Sequence, residues 1–206
     1  MASSARSICP STASEEAAFI GIKLAPHNCR WAFQSKGGTS VEMSSPSPRE
    51  EHVSRLMQIL DAHWVFTLAT RDPADTNAPP HCAPLFYAVQ AATENGAPAL
   101  LFTSSPESVH SRHIGGGPRE VGGAIYLETE TVGELRGAQL RGVVHELASD
   151  SEAETAARAR YLERHPVAEG VLAEGRHRLY RFVLTWAKLT DNRLGFGKHP
   201  VVDFSG

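Results

Sequence analysis

Apolar residues recur with helical spacing in the segment that follows residue 48. Ser47, Pro48 and Glu50 stand directly before it, and this combination is a helix-capping signature. The pattern predicts a first helix over about residues 49–63. The predicted apolar stripe falls at i, i+3, i+4, i+7 and i+11 and consists of Val53, Leu56, Met57, Leu60 and Trp64.

Six β-rich apolar runs follow, separated by turn-forming residues. The second and third runs flank Glu94-Asn95-Gly96, which is typical of a hairpin turn. The fifth run is long and carries Gly137 and Gly142, at either of which a strand can bend. The predicted strands cover residues 64–70, 81–90, 98–104, 121–129, 135–147 and 178–189.

Two further helices are predicted between these strands. Ser105-Pro106-Glu107 repeats the capping pattern of the first helix and predicts a short second helix that ends at glycines 115–117. Residues 149–152 predict the start of an alanine-rich helix that runs to about Arg164. Its inward-facing positions are predicted to be Ala153, Ala156, Ala157 and Tyr161.

The order of these elements indicates the fold class. Strands joined as hairpins dominate the first half, which favours a mainly antiparallel sheet or barrel, so the predicted class is mainly β (α+β). Residues 1–48 are rich in serine and contain one short apolar island, Phe19 to Leu24. They are expected to be a disordered or mis-called N-terminal extension. The folded domain is expected to span residues 49–206.

Composition narrows the range of partners. Twenty Lys and Arg against 23 Asp and Glu give a formal net charge of −3, which argues against nucleic acid as a partner. The longest apolar run, Trp64 to Ala69, is too short for a membrane span, so no membrane association is expected. Cys9, Cys29 and Cys82 are odd in number and form no paired motif, which fits the cytoplasm.

The junction between the third run and the second helix carries the densest functional chemistry. Thr103, Ser104 and Ser108 offer hydroxyl groups and Arg112 offers a cation, beside the unpaired N–H groups of a helix start. This combination suits a phosphate monoester. An ordinary capped helix is the alternative reading of the same residues.

Two histidines on the same helix raise a different possibility. His110 and His113 could hold a metal ion from one helix face, but no further ligand stands at helical spacing, so no metal site is expected. The chain contains no signature of a hydrolytic nucleophile.

The order of elements and three stretches of sequence resemble a known family. The stretches are Leu135 to Gly142, the alanine-rich helix ending in Tyr161 to Ala168, and Leu189-Thr-Asp-Asn-Arg-Leu-Gly-Phe-Gly-Lys198. Together they resemble the YhbP-like branch of the FMN-binding split-barrel proteins related to pyridoxamine 5′-phosphate oxidase. The resemblance extends over residues 50–199.

That resemblance implies a six-stranded antiparallel split barrel with flanking helices, which forms a homodimer and holds FMN in a groove between its subunits. Ala83, Pro84 and Leu85 would lie along the flavin ring, and Gln139 would reach its polar edge. The phosphate would be held by Thr103, Ser104, Ser108, His110 and Arg112.

One departure from the family bears on the phosphate. Relatives carry basic residues at the positions of Val109 and His110, so a histidine stands here where a permanent charge is usual. The affinity for phosphate is therefore expected to depend on pH and to weaken above about pH 7.

FMN would carry the redox chemistry, with a small molecule as substrate and NAD(P)H as a candidate hydride donor. The first hypothesis is a flavin-dependent oxidoreductase with no catalytic side chain assigned. The alternative is a non-enzymatic flavin or haem carrier of the same fold. Asp191, Asn192 and Lys198 could contact a substrate, although a turn made possible by Gly195 and Gly197 also explains them.

Overall fold

The computed structural model describes residues 45–75, 77–93 and 96–205. Residues 1–44 of the predicted extension, and the predicted turn residues Glu94 and Asn95, lie outside the described residues. Within the part of the chain that the structure describes, no helix is long and apolar enough to cross a membrane.

Four α-helices lie within the described ranges. The first begins as predicted, because the Ser47 hydroxyl accepts a hydrogen bond from the Glu50 N–H and the Glu50 carboxylate accepts one from the Ser47 N–H at 2.6 Å. The helices are α1 (Pro48–Ala62), α2 (Val109–Ile114), α3 (Glu152–Arg164) and α4 (Glu169–Ala173).

The described residues form one antiparallel sheet of eight strands. Its strand order is β2-β1-β5-β6-β7-β4-β3, and β8 pairs with β7 beside this path. The sheet curls until β2 approaches β4, which gives a split barrel with helices on its flanks. The strands are β1 (Val65–Thr70), β2 (His81–Phe86), β3 (Ala88–Gln90), β4 (Ala99–Ser104), β5 (Arg119–Tyr126), β6 (Arg136–Glu146), β7 (Arg178–Asp191) and β8 (Val201–Asp203).

The antiparallel barrel with flanking helices is confirmed, but the structure has eight strands where six were expected. The run 81–90 is divided at Tyr87, whose hydroxyl donates a 2.6 Å hydrogen bond to the carbonyl of Leu60. This buried contact turns the chain inward, so that β2 pairs with β1 while β3 pairs with β4. The eighth strand is the short β8, in which Val202 is buried.

The second helix begins later than the capping pattern predicts. Ser105 uses its hydroxyl locally, accepting from the Glu107 N–H at 3.2 Å, and Ser108 caps the helix by accepting from Ser111 N–H. The expectation that Ser105 starts the helix is therefore wrong, because a local turn uses that hydroxyl first.

The third helix has a narrower buried face than predicted. Ala157 and Tyr161 are buried, but Ala153 and Ala156 are exposed. Glu154 occupies part of the buried face, where its carboxylate accepts a 2.7 Å ion-paired hydrogen bond from Arg158.

The core lies on both sides of β4. Inside the barrel the Phe66 ring meets the rings of Phe102 and Phe182 at centroid distances of 5.6 and 6.1 Å. On the other side of β4, Leu101 packs with Tyr161 under α3. Burial of both faces explains why β4 is a continuous apolar run and not an alternating one.

One side chain joins the two long helices. The Arg164 guanidinium at the end of α3 donates hydrogen bonds to the carbonyls of Asp61 at 3.0 Å and His63 at 2.5 Å. It also lies 4.6 Å from the centre of the Trp64 ring. The C-terminal end of α1, which has no basic residue in its own last turn, thereby receives a cation from a distant part of the chain.

The longest strand pair, β6 with β7, bends at Gly142. The register shifts between Arg141 and Gly142, which is one of the two predicted bend positions. A Cβ atom at Gly142 would overlap the carbonyl oxygen of Val183 and lie 2.9 Å from the Cα of Leu184. Only glycine allows the two backbones to approach this closely.

We expect Gly142→Ala to lower the free energy of unfolding by about 3 kcal/mol, because backbone atoms must move to admit the methyl group. Urea unfolding followed by circular dichroism measures the effect. Gly116→Ala is the matched control, since nothing lies within 4 Å of a Cβ there. Equal stability of the two variants would contradict the backbone contact.

Candidate functional site

Small side chains cover the outer face of the sheet where four strands run side by side. Pro84, Thr67, Ala124 and Gln139 are consecutive cross-strand partners on β2, β1, β5 and β6. With strands about 4.8 Å apart, this row is about 14 Å long. A parallel row contains Cys82, Ala69, Gly122 and Arg141.

We call the centre of these two rows, Thr67, Ala69, Gly122 and Ala124, the platform. None of its side chains carries a charge or extends beyond a threonine, so the surface is flat and of low polarity. Larger residues border the platform at one end. These are the exposed Val65, Phe86 and Tyr126.

Two of the predicted ring-contact residues turn away from the platform. Alternation along β2 leaves Pro84 exposed on the outer face, whereas Ala83 is buried and Leu85 is half-buried against the core. Since β2 stands at the end of the strand order, one edge of its backbone in the described sheet carries no ladder. Ala83 and Leu85 can therefore offer backbone groups, but not side chains, to a molecule on the outer face.

Hydroxyls and imidazoles gather where β4 ends and α2 begins. The Ser104 hydroxyl lies 2.7 Å from Nε2 of His110, and the Ser108 hydroxyl lies 3.1 Å from the same atom. The two hydroxyls are 3.0 Å apart, and Ser108 donates to Ser111 at 2.8 Å. The structure thus brings together Ser104, Ser108 and His110.

The ends of β1 and β2 add Thr70 and His81 to this group, and these residues contact His113 and His110 of α2. The His81 ring stacks on the His110 ring with centroids 6.1 Å apart, and the Thr70 hydroxyl lies 3.1 Å from Nδ1 of His113. We call the whole group, Thr70, His81, Ser104, Ser108, His110, Ser111 and His113, the hydroxyl–histidine cluster. Thr70 also lines a cleft of about 570 Å³ that reaches Ala69 and Gly122 of the platform. The cluster and the platform therefore meet at the ends of β1 and β2, where alternation puts Thr70 and His81 on the side of Ala83 and puts the platform on the other side of the sheet.

Two predicted phosphate ligands lie apart from the cluster. The Thr103 hydroxyl donates to the carbonyl of Arg178 at 3.1 Å, on the pairing strand β7. The Arg112 guanidinium is exposed and hydrogen-bonded to the carbonyl of Glu107 in the preceding loop. Neither side chain points toward His110 in this arrangement.

The environment of His110 favours its neutral form. Burial, followed by the charges of His81 and His113, lowers the pKa of His110 from its ordinary value of 6.5. At neutral pH the ring is uncharged and its Nε2 forms hydrogen bonds to serine hydroxyls. A positive charge on His110 would therefore require a lower pH than the value of about 7 that the sequence suggested.

The histidines are not arranged as metal ligands. Among residues 45–75, 77–93 and 96–205, no group of three or more His, Cys, Asp or Glu side chains is placed to hold a metal ion. His110 Nε2 and His113 Nδ1, which sequence analysis considered as a pair, each lie at a hydroxyl group instead.

The distinctive C-terminal residues form a turn. The Asp191 carboxylate accepts hydrogen bonds from the Arg193 backbone and guanidinium, and Asn192 donates to the carbonyl of Val132 at 2.6 Å. Gly195 and Gly197 have φ of 111° and 79°, a region that favours glycine. Asp191 and Asn192 thus have partners within the turn, and Asp191 and Lys198 both line a separate pocket.

Sequence reasoning missed the platform and part of the cluster. Thr67 and Ala69, and likewise Gly122 and Ala124, are alternate residues of one strand, so a period-two pattern of small residues was the available signal. Thr70 joins the cluster through pairing of β1 with β2, and nothing local in the sequence indicates that contact.

Comparison with solved structures defines the type of fold. The chain matches a haem-binding protein from Mycobacterium smegmatis with a TM-score of 0.57 and 22% identity, over 79% of this chain and 60% of that one, which is less than two thirds of its length. It matches a general stress protein 26 relative of the pyridoxinephosphate oxidase family from Clostridium acetobutylicum with a TM-score of 0.53 and 7% identity, over 75% and 96% of the two chains. The fold is a split barrel of the pyridoxamine phosphate oxidase type.

Sequence relatives specify the family within this class. The chain is 33% identical over 117 residues to the UPF0306 protein YhbP of Salmonella paratyphi A, across 57% of this chain and 72% of that protein. It is 34% identical, with the same coverage, to a UPF0306 protein of Yersinia pseudotuberculosis serotype O:3. No protein-family model matches the chain. The chain belongs to the UPF0306 (YhbP) family.

The lowered pKa of His110 predicts a pH dependence of stability. Because the unfolded chain binds this proton at higher pH than the folded chain, the stability that neutral His110 contributes at pH 7 is lost as the pH falls from about 6.5 through the folded pKa. We expect the gap in unfolding free energy between the native protein and His110→Gln to narrow over this window. Urea unfolding at a series of pH values measures it.

Val167→Gln, at a residue that is 94% exposed, is the control. Because neither side chain titrates, its gap from the native protein should stay constant over the same window. A gap for His110→Gln that stays constant between about pH 7.5 and 5 would show that folding does not disfavour protonation of this ring.

Proposed function

We propose that this chain binds FMN, with the flavin ring against the platform and the phosphate toward the hydroxyl–histidine cluster. The observation that carries the proposal is the row from Pro84 to Gln139, an uncharged surface about 14 Å long that ends in an amide side chain. A planar fused ring needs such a flat surface with a few polar groups at its edge. Gln139 is exposed at the far end of the row and supplies one.

The residues present fit the phosphate end as well. Ser108 and His81 are half-buried and accessible, while Ser104 and His110 are each 7% exposed and lie behind them. Ser104 and His110 would therefore hold the Ser108 hydroxyl in place for an oxyanion. Thr103 and Arg112 would need other side-chain conformations to contribute, since both hydrogen-bond to backbone carbonyls.

Bound FMN would supply hydride-transfer chemistry, and the protein would supply its position and electrostatic surroundings. We propose a flavin-dependent oxidoreductase acting on a small molecule, with NAD(P)H as a candidate donor. The free, exposed thiol of Cys82 at the platform edge is compatible with the reducing cytoplasm, which is the location we propose.

A visible spectrum of the purified protein, followed by FMN titration, tests the binding. We expect two flavin bands, and we expect Ala124→Phe to weaken FMN affinity by at least about tenfold, because the new ring would occupy the platform without touching the core. Ala153→Phe on the exposed side of α3 is the matched control and should bind FMN normally.

Three outcomes separate the candidate functions. A Soret band would indicate that the protein binds haem and not flavin; haem is the ligand named for the Mycobacterium smegmatis neighbour. Bleaching of bound flavin by NADH or NADPH without oxygen supports an oxidoreductase, whereas a bound flavin that no donor reduces supports a carrier. Identical FMN affinity in Ala124→Phe and Ala153→Phe would show that the flavin ring does not bind at the platform.

We further propose that the outer face is covered by a second copy of the chain. Val65 and Phe86 are cross-strand partners, and they are 40% and 59% exposed. Tyr126, two residues beyond Ala124 on the same face, is 61% exposed. Large apolar side chains collected at one end of an uncharged face are typical of an interface.

We expect Phe86→Glu to shift the protein toward monomers and to weaken FMN binding with it, since a carboxylate would be buried at the interface. Sedimentation velocity measures the shift. Val167→Glu, at a residue that is 94% exposed on another part of the surface, should leave the assembly unchanged. A Phe86→Glu variant that sediments like the native protein would place the interface elsewhere.

A further inference from the structure

A second cavity, separate from the platform, lies between α1 and the turn that follows β7. Its volume is about 690 Å³, which is within the usual range for small-molecule sites. The residues that line it come from α1, from the start of β6 and from residues 189–200. We call it the basic pocket.

The charges in the basic pocket are strongly one-sided. Arg55, Arg136, Arg193 and Lys198 line it, against one carboxylate, Asp191. That carboxylate is already satisfied by Arg193, at 2.8 and 2.6 Å in a two-pronged ion pair. Among the described residues, Arg55, Arg136 and Lys198 form no ion pair. The hydrogen bond from Arg193 and, to a smaller extent, the charge of Arg136 lower the pKa of Asp191. The pocket is thus cationic in a chain whose formal net charge is −3.

Arg136 is half-buried at the wall of the pocket and is the cross-strand partner of Asp191. Its Nε is enclosed by the protein and has no hydrogen-bond partner among the described residues, as is also true of Arg164 and Arg181. The terminal guanidinium nitrogens are therefore the Arg136 atoms that can meet a ligand in the cavity. Burial and the Arg136 charge also lower the pKa of His63 nearby, which keeps that ring neutral.

The remaining wall of the pocket is apolar and can contact an apolar part of the ligand. Ile59 and Ala62 come from α1. Leu127 directly follows β5, Leu189 lies in β7 and Pro200 directly precedes β8. A simple inorganic anion would leave this surface exposed to water. A molecule with a compact apolar body and a doubly negative group would cover it and meet the three cations.

Lys198 lies in the C-terminal stretch, residues 189–198, that carries part of the family resemblance. The glycines at 195 and 197 allow the tight turn after β7, and this turn carries Lys198 to the mouth of the pocket. Asp191 and Asn192 fix the base of the same turn through Arg193 and the carbonyl of Val132. The distinctive C-terminal stretch therefore builds one wall of the pocket.

We propose that the basic pocket binds a small organic dianion with an apolar body, held by Arg55, Arg136 and Lys198. Arg136 is the central ligand because it lines the cavity and its half-buried position limits the motion of its guanidinium group. Its planar guanidinium suits the paired oxygens of a phosphate monoester or a carboxylate. The site does not depend on flavin, and it lies on residues that the FMN proposal does not use.

Calorimetric titration with phenyl phosphate tests the proposal. We expect saturable binding that weakens with added salt, because the contacts are ionic. Inorganic phosphate, which lacks the ring, and benzyl alcohol, which lacks the charge, should each bind at least about tenfold more weakly. Phthalate in parallel distinguishes a dicarboxylate from a phosphate as the preferred dianion. Absence of saturable phenyl phosphate binding at millimolar concentration would overturn the proposal.

Variants locate the binding within the chain. Arg136→Gln should weaken phenyl phosphate by at least about tenfold, and the exposed Lys198→Gln should weaken it without affecting the fold. Arg176→Gln, which removes an exposed arginine paired with Glu174 elsewhere, is the matched control and should bind normally. Equal binding by Arg136→Gln and Arg176→Gln would place the dianion outside the pocket.

The same variants keep this proposal distinct from the FMN proposal. Arg136→Gln should retain FMN, and Ala124→Phe should retain phenyl phosphate. Loss of FMN in Arg136→Gln would mean that the flavin phosphate itself occupies the basic pocket, which would overturn the existence of two sites. Loss of FMN in Ala124→Phe alone leaves the dianion site intact.

Discussion

The close approach of two backbones at Gly142 is the constraint on which the rest of the molecule depends. There β6 and β7 shift register, and a side chain larger than hydrogen would collide with the carbonyl of Val183. The bend lets the inner face of the sheet close over the stacked rings of Phe66 and Phe182. Because each strand alternates its side chains, the same bend leaves small outward residues on a continuous surface. The core and the candidate flavin site are therefore two sides of one curved sheet.

The sequence predicts those parts of the structure that local chemistry decides. The capping residues Ser47 and Glu50 set the start of α1, and the two glycines of the long strand, Gly137 and Gly142, limited the bend to two positions, of which the structure has Gly142. Ser105 shows the limit of such reasoning, since two serines three residues apart could each cap α2 and the choice depends on which hydroxyl remains available. The break at Tyr87 depends on a contact with Leu60, which is distant in the chain and has no local signal.

The candidate sites divide in the same way. Ser104, Ser108 and His110 stand within seven residues of sequence, so their grouping was visible before the fold was known. Arg55, Arg136 and Lys198 belong to three separate segments, and their convergence depends on how α1 packs across the ends of β6 and β7. The two surfaces also differ in character: one is uncharged and flat, and the other is cationic and concave. The two surfaces would therefore bind different chemical groups.

The contact of Arg164 with α1 affects the order in which the chain can become stable. The carbonyls of Asp61 and His63 accept hydrogen bonds from a guanidinium that is translated about a hundred residues later. On the ribosome, the growing chain would carry a first helix whose C-terminal end is still hydrated, while the strands behind it emerge. Arg164 can contact the Trp64 ring and bind these carbonyls only after α3 has been synthesised. Helix α1 is thus translated before the other described elements, but its C-terminal end gains these contacts only after α3 has formed.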